Sequence, residues 1–190
     1  MIADEVAVGF GRTGKLFAVE HANITPDFMV LSKGLTAGYL PLSIVMLTQH
    51  IYDAFYCDYD IKGTKSFLHS HSYTGNPLAC TAAIASIEYL EKFDVINSNQ
   101  EKIESISLQL KRFESLENVQ NIRQVGMVAA LDLKGYSSEQ RIGLEVYKYA
   151  LSKGVLLRPL AHVIYFMTPY VITKEELKKI LMLHLMQLNL

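Results

Sequence analysis

Short apolar runs bounded by turn residues restrict the fold of this chain more than any other feature of its sequence. The runs FMVLS at 28–32 and LSIVMLT at 42–48 are typical of strands that are buried on both faces of a sheet. The run MIADEVAV at 1–8 has a similar character and starts without a preceding cap or turn, as if inside a sheet. Because loops and helical segments lie between and after these runs, we predict an α/β fold.

Two helical segments follow the apolar runs and divide the chain. The segment GNPLACTAAIASIEYLEKF at 75–93 predicts a helix, because Asn-Pro is a helix-entry signal and the apolar residues recur at helical spacing. The sequence from 97 to 116 is more polar, and its spaced apolar residues predict an amphipathic helix that leads into a second domain. We place the boundary near residue 96, which gives domains 1–96 and 97–190.

The second domain is predicted to be a small α+β unit. Thr173 and Glu176 form a capping-box pattern that marks the start of its last helix. The elements predicted for this domain are strands at 128–133, 154–160 and 162–168 and helices at 138–152 and 173–188.

Composition and charge exclude several classes of protein. With 50% hydrophobic and 19% charged residues the chain is globular, and a formal net charge of −1 provides no basic field for nucleic acid. No apolar run approaches the roughly 18 residues that span a bilayer, so we expect a soluble protein with no membrane partner. Two cysteines, Cys57 and Cys80, are too few for a disulfide framework, and no leader pattern opens the sequence, which favours a cytoplasmic protein.

A glycine-rich loop follows the first apolar run. Gly9, Gly11 and Gly14 match a dinucleotide-binding pattern, and the stretch 9–15 matches a phosphate-binding loop. Leu16 stands where such a loop needs a Ser or Thr hydroxyl, and no long amphipathic helix follows. We therefore interpret this segment as a tight turn and not as a nucleotide site.

His69 and His71 alternate along a segment that is predicted to be extended, so both would face one side. Together with Cys57 and Cys80 they offer zinc-ligand chemistry, but their spacing fits no usual zinc pattern. A structural or polar role is the preferred interpretation of the histidines, and Cys80 is interpreted as a small buried hydrophobic residue.

Asp4 and Lys33 each stand near the end of a predicted strand. A lysine charge is costly to bury unpaired, so Lys33 either reaches solvent or takes part in a reaction. If the two strands are parallel, both side chains lie at the edge where open α/β sheets bind ligands. Spacing alone leaves two interpretations open: a site formed by a carboxylate and an amine, or a strand-end acid beside a solvated lysine.

Three motifs, taken in order, resemble one enzyme family. DEVAVGFGRTGKLFAVEH at 4–21, PDFMVLSKGLTAGYLPLS at 26–43 and HSYTGNPLAC at 71–80 are similar to the pyridoxal-phosphate-dependent class III aminotransferases of fold type I. The resemblance implies an aspartate-aminotransferase-like fold, of which this chain holds the C-terminal part of the large cofactor-binding domain and the small α+β domain. It also implies that an N-terminal half, with the aromatic residue that stacks on the cofactor and the main phosphate loop, lies outside this chain.

Two further motifs narrow the resemblance. LLRPL at 156–160 and VIYFMTPY at 163–170 are most similar to the branch of the family that acts in biotin synthesis. That branch implies transfer of an amino group from S-adenosylmethionine to 8-amino-7-oxononanoate, which gives 7,8-diaminononanoate. Two alternatives stay open: a class III aminotransferase for another ω-amino acid, such as ornithine or 4-aminobutyrate, or a non-catalytic fragment of such an enzyme.

The resemblance implies roles for the residues around the cofactor, pyridoxal 5′-phosphate. Lys33 matches the lysine that bonds covalently to the cofactor aldehyde and later moves a proton. Asp4 matches the aspartate that pairs with the pyridine nitrogen. Ser72 stands where the family usually has a threonine that reaches the cofactor phosphate from the partner subunit, in a homodimer with shared active sites.

The resemblance also implies residues for the small-molecule substrates. Arg158 matches the arginine that holds the substrate carboxylate, for which a planar fork of donors is suited. Tyr165 and Gly38 match residues of the substrate pocket. His71 and Thr168 depart from the family pattern, since each stands where the family more often has proline.

Overall fold

The computed structural model describes residues 1–58, 63 and 65–187. The chain forms two compact units, Met1–Val95 and Ile96–Leu190. The strands and α-helices follow in the order β1 (Ile2–Asp4), β2 (Phe28–Leu31), β3 (Ile44–Leu47), α1 (Gln49–Phe55), α2 (Pro77–Lys92), α3 (Val95–Ser98), α4 (Gln100–Leu110), β4 (Val119–Val125), β5 (Val128–Leu133), α5 (Ile142–Ser152), β6 (Val163–Met167) and α6 (Lys174–Gln187).

The first unit contains a three-stranded sheet in the order β1-β2-β3. β1 and β2 are parallel, with Ile2 paired to Phe28 and Asp4 paired to Val30. β3 is antiparallel to β2. The prediction that these two strands are buried on both faces is wrong, because all four residues of β3 are exposed and only Leu31 of β2 is buried. Because β1 and β2 run in the same direction, the residues that follow both strands leave the sheet at the same edge.

β1 is shorter than the strand predicted at 1–8, because local hydrogen bonds turn the chain directly after Asp4. The Asp4 Oδ1 accepts a hydrogen bond from the Val6 amide at 3.0 Å. The Glu5 carbonyl accepts from the Gly9 amide at 2.9 Å. These bonds offer the backbone an alternative to continued strand pairing.

α2 covers part of the first unit and begins where the sequence predicts. The Asn76 side chain accepts hydrogen bonds from the Leu78 amide at 2.9 Å and the Ala79 amide at 3.3 Å, and Pro77 occupies the first helical position. The buried apolar cluster of this unit is small and consists of Phe10, Leu31, Leu35 and Ala83.

The second unit contains an antiparallel sheet in the order β4-β5-β6 and the helices α4, α5 and α6. Buried and half-buried residues alternate along β5, so one face of this strand lies in the core. The largest fully buried side chains of the core are Ile106, Phe113, Met127, Leu131, Ile164, Leu177 and Leu181. This core is far more extensive than the apolar cluster of the first unit.

Two sequence predictions in the second unit need correction, and one strand was not predicted. The segment 154–160 is not a strand: only Leu160 forms an isolated bridge, since Pro159 has no amide to donate and Ala161 has a left-handed φ of 53°. β4 was not predicted, because its sequence VQNIRQV is largely polar and exposed. The helix predicted at 97–116 is shorter: α4 ends at Leu110, and a 3-10 turn follows.

The start of α6 is confirmed in detail. The Thr173 amide donates to the Glu176 Oε2 at 2.9 Å, and the Glu176 amide donates to the Thr173 Oγ1 at 3.2 Å. These are the two reciprocal bonds of a capping box. Across the part of the chain that the structure describes, no helix has the length and apolar character needed to cross a membrane.

Candidate active site

Asp4 and Lys33 lie at the carboxyl ends of two neighbouring strands of the first unit's sheet. β1 ends at Asp4, β2 ends at Leu31, and Lys33 follows two residues later. Because β1 and β2 are parallel, the carboxylate and the amine follow strand ends on the same side. Both residues are exposed, so both groups are accessible to a ligand.

Lys33 has an unusual backbone conformation. Its φ is 43°, in the left-handed region that residues with a Cβ rarely adopt, and it starts a 3-10 turn that covers Lys33–Thr36. Ala37 is also left-handed at 51°, and the Gly38 amide donates to the Lys33 carbonyl at 3.2 Å. Non-glycine residues in this region cluster at functional sites, where the surrounding structure holds the strain.

The turn that carries Lys33 is fixed by contacts on both sides. The Thr36 hydroxyl donates to the Leu40 carbonyl at 2.6 Å, and the Ser86 hydroxyl of α2 donates to the Gly34 carbonyl at 3.2 Å. A Cβ on Gly34 would lie 3.0 Å from the Phe10 side chain, so only glycine fits without displacement of the ring. The lysine therefore stands on a rigid turn, not on a free loop.

Glu5 follows Asp4 in the sequence, and the resemblance to the family implies that it is a supporting neighbour and not a catalyst. Only 1% of it is exposed, and its carboxylate accepts hydrogen bonds from the amides of Ala18 at 2.9 Å and Val19 at 2.8 Å. Its own amide donates to the Val30 carbonyl at 2.9 Å. Glu5 thus ties the segment after the glycine loop to the strand ends beside Asp4.

The glycine loop forms a tight turn with internal hydrogen bonds. The Gly9 amide donates to the Glu5 carbonyl at 2.9 Å, the Gly11 amide to the Leu16 carbonyl at 3.3 Å, and the Gly14 amide to the Gly11 carbonyl at 3.0 Å. These amides are engaged within the loop, whereas a phosphate-binding loop directs its amides at the ligand.

Ser72 lies in an exposed turn at 72–75. In the described part of the first unit, no hydrogen bond joins it to Asp4 or Lys33. His71 shapes this turn, since its amide donates to the Thr74 hydroxyl and its Nδ1 accepts from the Tyr73 amide, each at 3.1 Å. Among the described residues, no three His, Cys, Asp or Glu side chains are placed together to hold a metal ion.

Arg158 and Tyr165 belong to the second unit. Arg158 is exposed in the segment between α5 and β6 and lines a surface groove of about 550 Å³. Tyr165 is half-buried on β6, where it pairs with Ala130 and alternates with the buried Ile164. Tyr165 is not among the residues that line the groove beside Arg158.

Known proteins resemble this chain over nearly all of its length. Residues 1–186 match the sequence model of the protein family aminotransferase class-III. An adenosylmethionine-8-amino-7-oxononanoate aminotransferase from Geobacter sulfurreducens is 46% identical over 184 residues, which are 93% of this chain and 40% of that protein. Its counterpart in Helicobacter pylori is also 46% identical, over 94% of this chain and 41% of the relative. The chain thus spans about two-fifths of the length of these curated relatives.

Solved structures also match this chain over nearly all of its length. The crystal structure of adenosylmethionine-8-amino-7-oxononanoate aminotransferase from Methanocaldococcus jannaschii superposes with a TM-score of 0.93 at 35% identity, over 99% of this chain and 45% of that chain. A transaminase from the marine bacterium Virgibacillus superposes with a TM-score of 0.85 at 28% identity, over 96% of this chain and 43% of that chain. Nearly all of this chain therefore has a structural counterpart in each of these longer proteins.

Proposed function

Because the chain belongs to the class III aminotransferase family, we propose that it serves the transfer of an amino group from S-adenosylmethionine to 8-amino-7-oxononanoate, with formation of 7,8-diaminononanoate. The predicted fold class, an α/β fold of type I, is confirmed by the match to this family and to its solved structures. The observation that carries the proposal is that β1 and β2 are parallel, so that Asp4 and the strained Lys33 lie at the same, carboxyl-terminal end of the two strands.

These two residues fit the cofactor of the family. Pyridoxal 5′-phosphate supplies an aldehyde that bonds to an amine and a pyridinium ring that withdraws electrons from the substrate. Lys33 has an exposed amine that would hold the cofactor aldehyde and would serve as the base that moves a proton at the substrate carbon. Asp4 provides an exposed carboxylate for the ring nitrogen, while its Oδ1 is oriented by the Val6 amide.

The remaining residues are proposed from the family pattern. Arg158 holds the substrate carboxylate, Tyr165 and Gly38 line the substrate pocket, and Ser72 donates to the cofactor phosphate across the interface of a homodimer. The exposed positions of Arg158, Gly38 and Ser72 leave these groups accessible to ligands or to a partner subunit. We further propose a reducing, cytoplasmic setting, which is supported by the two free cysteines.

A second candidate is a non-catalytic polypeptide, which takes no part in transamination even when another polypeptide is added. It is favoured by the exposure of β3, all four residues of which are exposed. This candidate also agrees with the finding that the chain covers about two-fifths of the length of its relatives. Transamination of another ω-amino acid, with the same Lys33 and Asp4 chemistry, is the alternative reaction within the family.

Reductive trapping tests the proposed role of Lys33. The 190-residue chain is incubated with pyridoxal phosphate, reduced with borohydride and mapped by mass spectrometry. We expect the label on Lys33, and we expect its loss in Lys33→Ala but not in the control Lys65→Ala. A label spread evenly over the lysines and unchanged in Lys33→Ala would overturn the assignment.

A further inference from the structure

The groove beside Arg158 contains a second arginine, Arg141. The groove lies between the start of α5 and the segment that precedes β6. The residues that line it are Ser138, Arg141, Gly143, Leu144, Tyr147, Leu157, Arg158, Pro159 and Ala161. Two guanidinium groups from segments that are distant in sequence therefore border one groove.

The close approach of these two segments depends on a glycine. The Gly143 amide donates to the Ala161 carbonyl at 2.9 Å. A Cβ on Gly143 would lie 2.5 Å from that carbonyl oxygen and 2.6 Å from the Pro159 Cβ, so no larger residue fits there. Arg141 and Ala161 also have left-handed φ values of 49° and 53°. The groove is thus maintained by specific, strained geometry on both of its sides.

The charge of the groove is unbalanced. Its lining includes Arg141 and Arg158 but no Asp or Glu. The ion pairs found among the described residues of this unit involve Arg123, Lys148 and Lys174, and none involves either groove arginine. Two cations that border one groove, with no carboxylate in its lining, favour an anionic ligand, and guanidinium groups bind carboxylates through paired N–H donors.

The uncharged walls restrict the kind of anion. The apolar residues Leu144, Leu157 and Pro159 line the same groove as the two arginines. We propose that the groove binds the carboxylate end of an aliphatic acid, with Arg141 and Arg158 both contacting the carboxylate and the apolar residues contacting the alkyl chain. The role of Arg158 rests on the proposed function, whereas Arg141 is an additional substrate-binding residue that sets specificity for an alkyl carboxylate.

Binding of heptanoate to the 190-residue chain tests this proposal. Equilibrium dialysis with labelled heptanoate is expected to show binding that weakens about fivefold or more in Arg141→Gln and in Arg158→Gln. The control Arg112→Gln removes an exposed arginine of the same unit, whose guanidinium donates to Gln109, and should bind like the unchanged chain. Arg141→Lys retains the charge and should recover part of the affinity. Equal binding in all four variants, or equal binding of the uncharged heptanamide, would overturn the proposal.

A chemical readout identifies the residues directly. Heptanoate should protect Arg141 and Arg158 from modification by phenylglyoxal, and Arg112 should remain reactive. Protection of Arg158 alone would overturn the role of Arg141. Loss of binding in Arg141→Gln counts as support only if its circular dichroism and urea midpoint match those of the Arg112→Gln control.

The outcome is separable from that of the proposed function. If heptanoate binding depends on both arginines but the Lys33 trapping experiment fails, the carboxylate groove stands and the proposed reaction does not. If trapping succeeds and heptanoate binding is indifferent to Arg141, the reaction stands and the groove proposal is overturned.

Discussion

At the scale of single residues, the edge of the first sheet combines strain, charge and burial in three neighbours. Lys33 is exposed on a left-handed backbone, Asp4 is exposed with one oxygen bonded to the Val6 amide, and Glu5 is buried with its carboxylate fully engaged. Two carboxylates adjacent in sequence thus serve different purposes. Asp4 is available to a ligand, and Glu5 supports the structure around it.

The left-handed backbone at Lys33 predicts that a glycine variant is more stable than an alanine variant at this position. Lys33→Gly and Lys33→Ala both remove the amine and should abolish cofactor trapping. Lys33→Gly should nevertheless be the more stable of the two by about 0.5–1 kcal/mol, because relief of the left-handed conformation exceeds the extra chain entropy of glycine in the unfolded state. Urea unfolding of both variants measures the difference. An alanine variant that is equal or more stable would show that φ at this position is not strained.

Asp4 and Glu5 provide a matched pair of amide substitutions. Glu5→Gln replaces one buried acceptor with a donor that faces the Ala18 or Val19 amide, and it should lower the free energy of unfolding by about 1–3 kcal/mol. Asp4→Asn keeps the acceptor for the Val6 amide, so its stability should change little. Urea midpoints of the two variants, compared with the unchanged chain, check this. Equal destabilisation would contradict the separate roles given to the two carboxylates.

At the scale of secondary-structure elements, the start of α6 shows how a local motif is coupled to pH. The Thr173 amide and hydroxyl donate to the Glu176 carboxylate, and they lower the pKa of Glu176 below its ordinary value of 4.5. A hydrogen bond from Lys174 similarly lowers the pKa of Glu101 on α4. Since both pKa values are lower in the folded state, the stabilisation is complete above the unfolded values and is lost as pH falls through the folded ones.

We therefore predict that the second unit loses stability as pH decreases below about 4.5. Thr173→Ala removes the N-cap hydroxyl and should cost about 1 kcal/mol at neutral pH. Glu176→Gln should flatten part of the acid dependence, because the titrating carboxylate is gone. Urea midpoints measured from pH 7 to pH 3 check both effects. An identical acid dependence in Glu176→Gln and the unchanged chain would remove Glu176 from the explanation.

At the scale of the whole molecule, the two units differ in how well they bury their apolar residues. In the first unit, Val45 is 55% exposed and Met46 is 52% exposed on β3, and the buried cluster is small. Among the described strands, β1 and β3 each pair with β2 alone, so each has an edge without a partner. Exposed apolar strands with unpaired edges favour association with other chains.

We predict that purified residues 1–190 self-associate, bind pyridoxal phosphate weakly and do not transaminate. Hydrogen exchange should be slower in β5 and α6 than in β2 and β3, because the second unit has the larger core. Val45→Lys should reduce association in sedimentation experiments, since a lysine on an edge strand opposes strand pairing. The control Leu108→Lys, at a position on α4 that is 63% exposed, should not. A monodisperse chain that converts 8-amino-7-oxononanoate without an added polypeptide would contradict this prediction.

The features that could be predicted from the sequence are those that depend on short stretches of the chain. The entry of α2 at Asn76, the capping box of α6 and the position of strand β2 depend on residues close together in the chain, so their patterns were sufficient. The burial expected for β2 did not follow from its pattern, because only Leu31 of its four residues is buried. The tertiary structure decided the features that depend on distant contacts. β4 is a strand because β5 pairs with it, despite its polar residues, and the segment 154–160 is not one because Pro159 and the left-handed Ala161 interrupt pairing. Likewise, Arg141 and Arg158 border one groove because Gly143 allows the start of α5 to approach Pro159 and Ala161, and the spacing of these residues along the chain does not predict that approach.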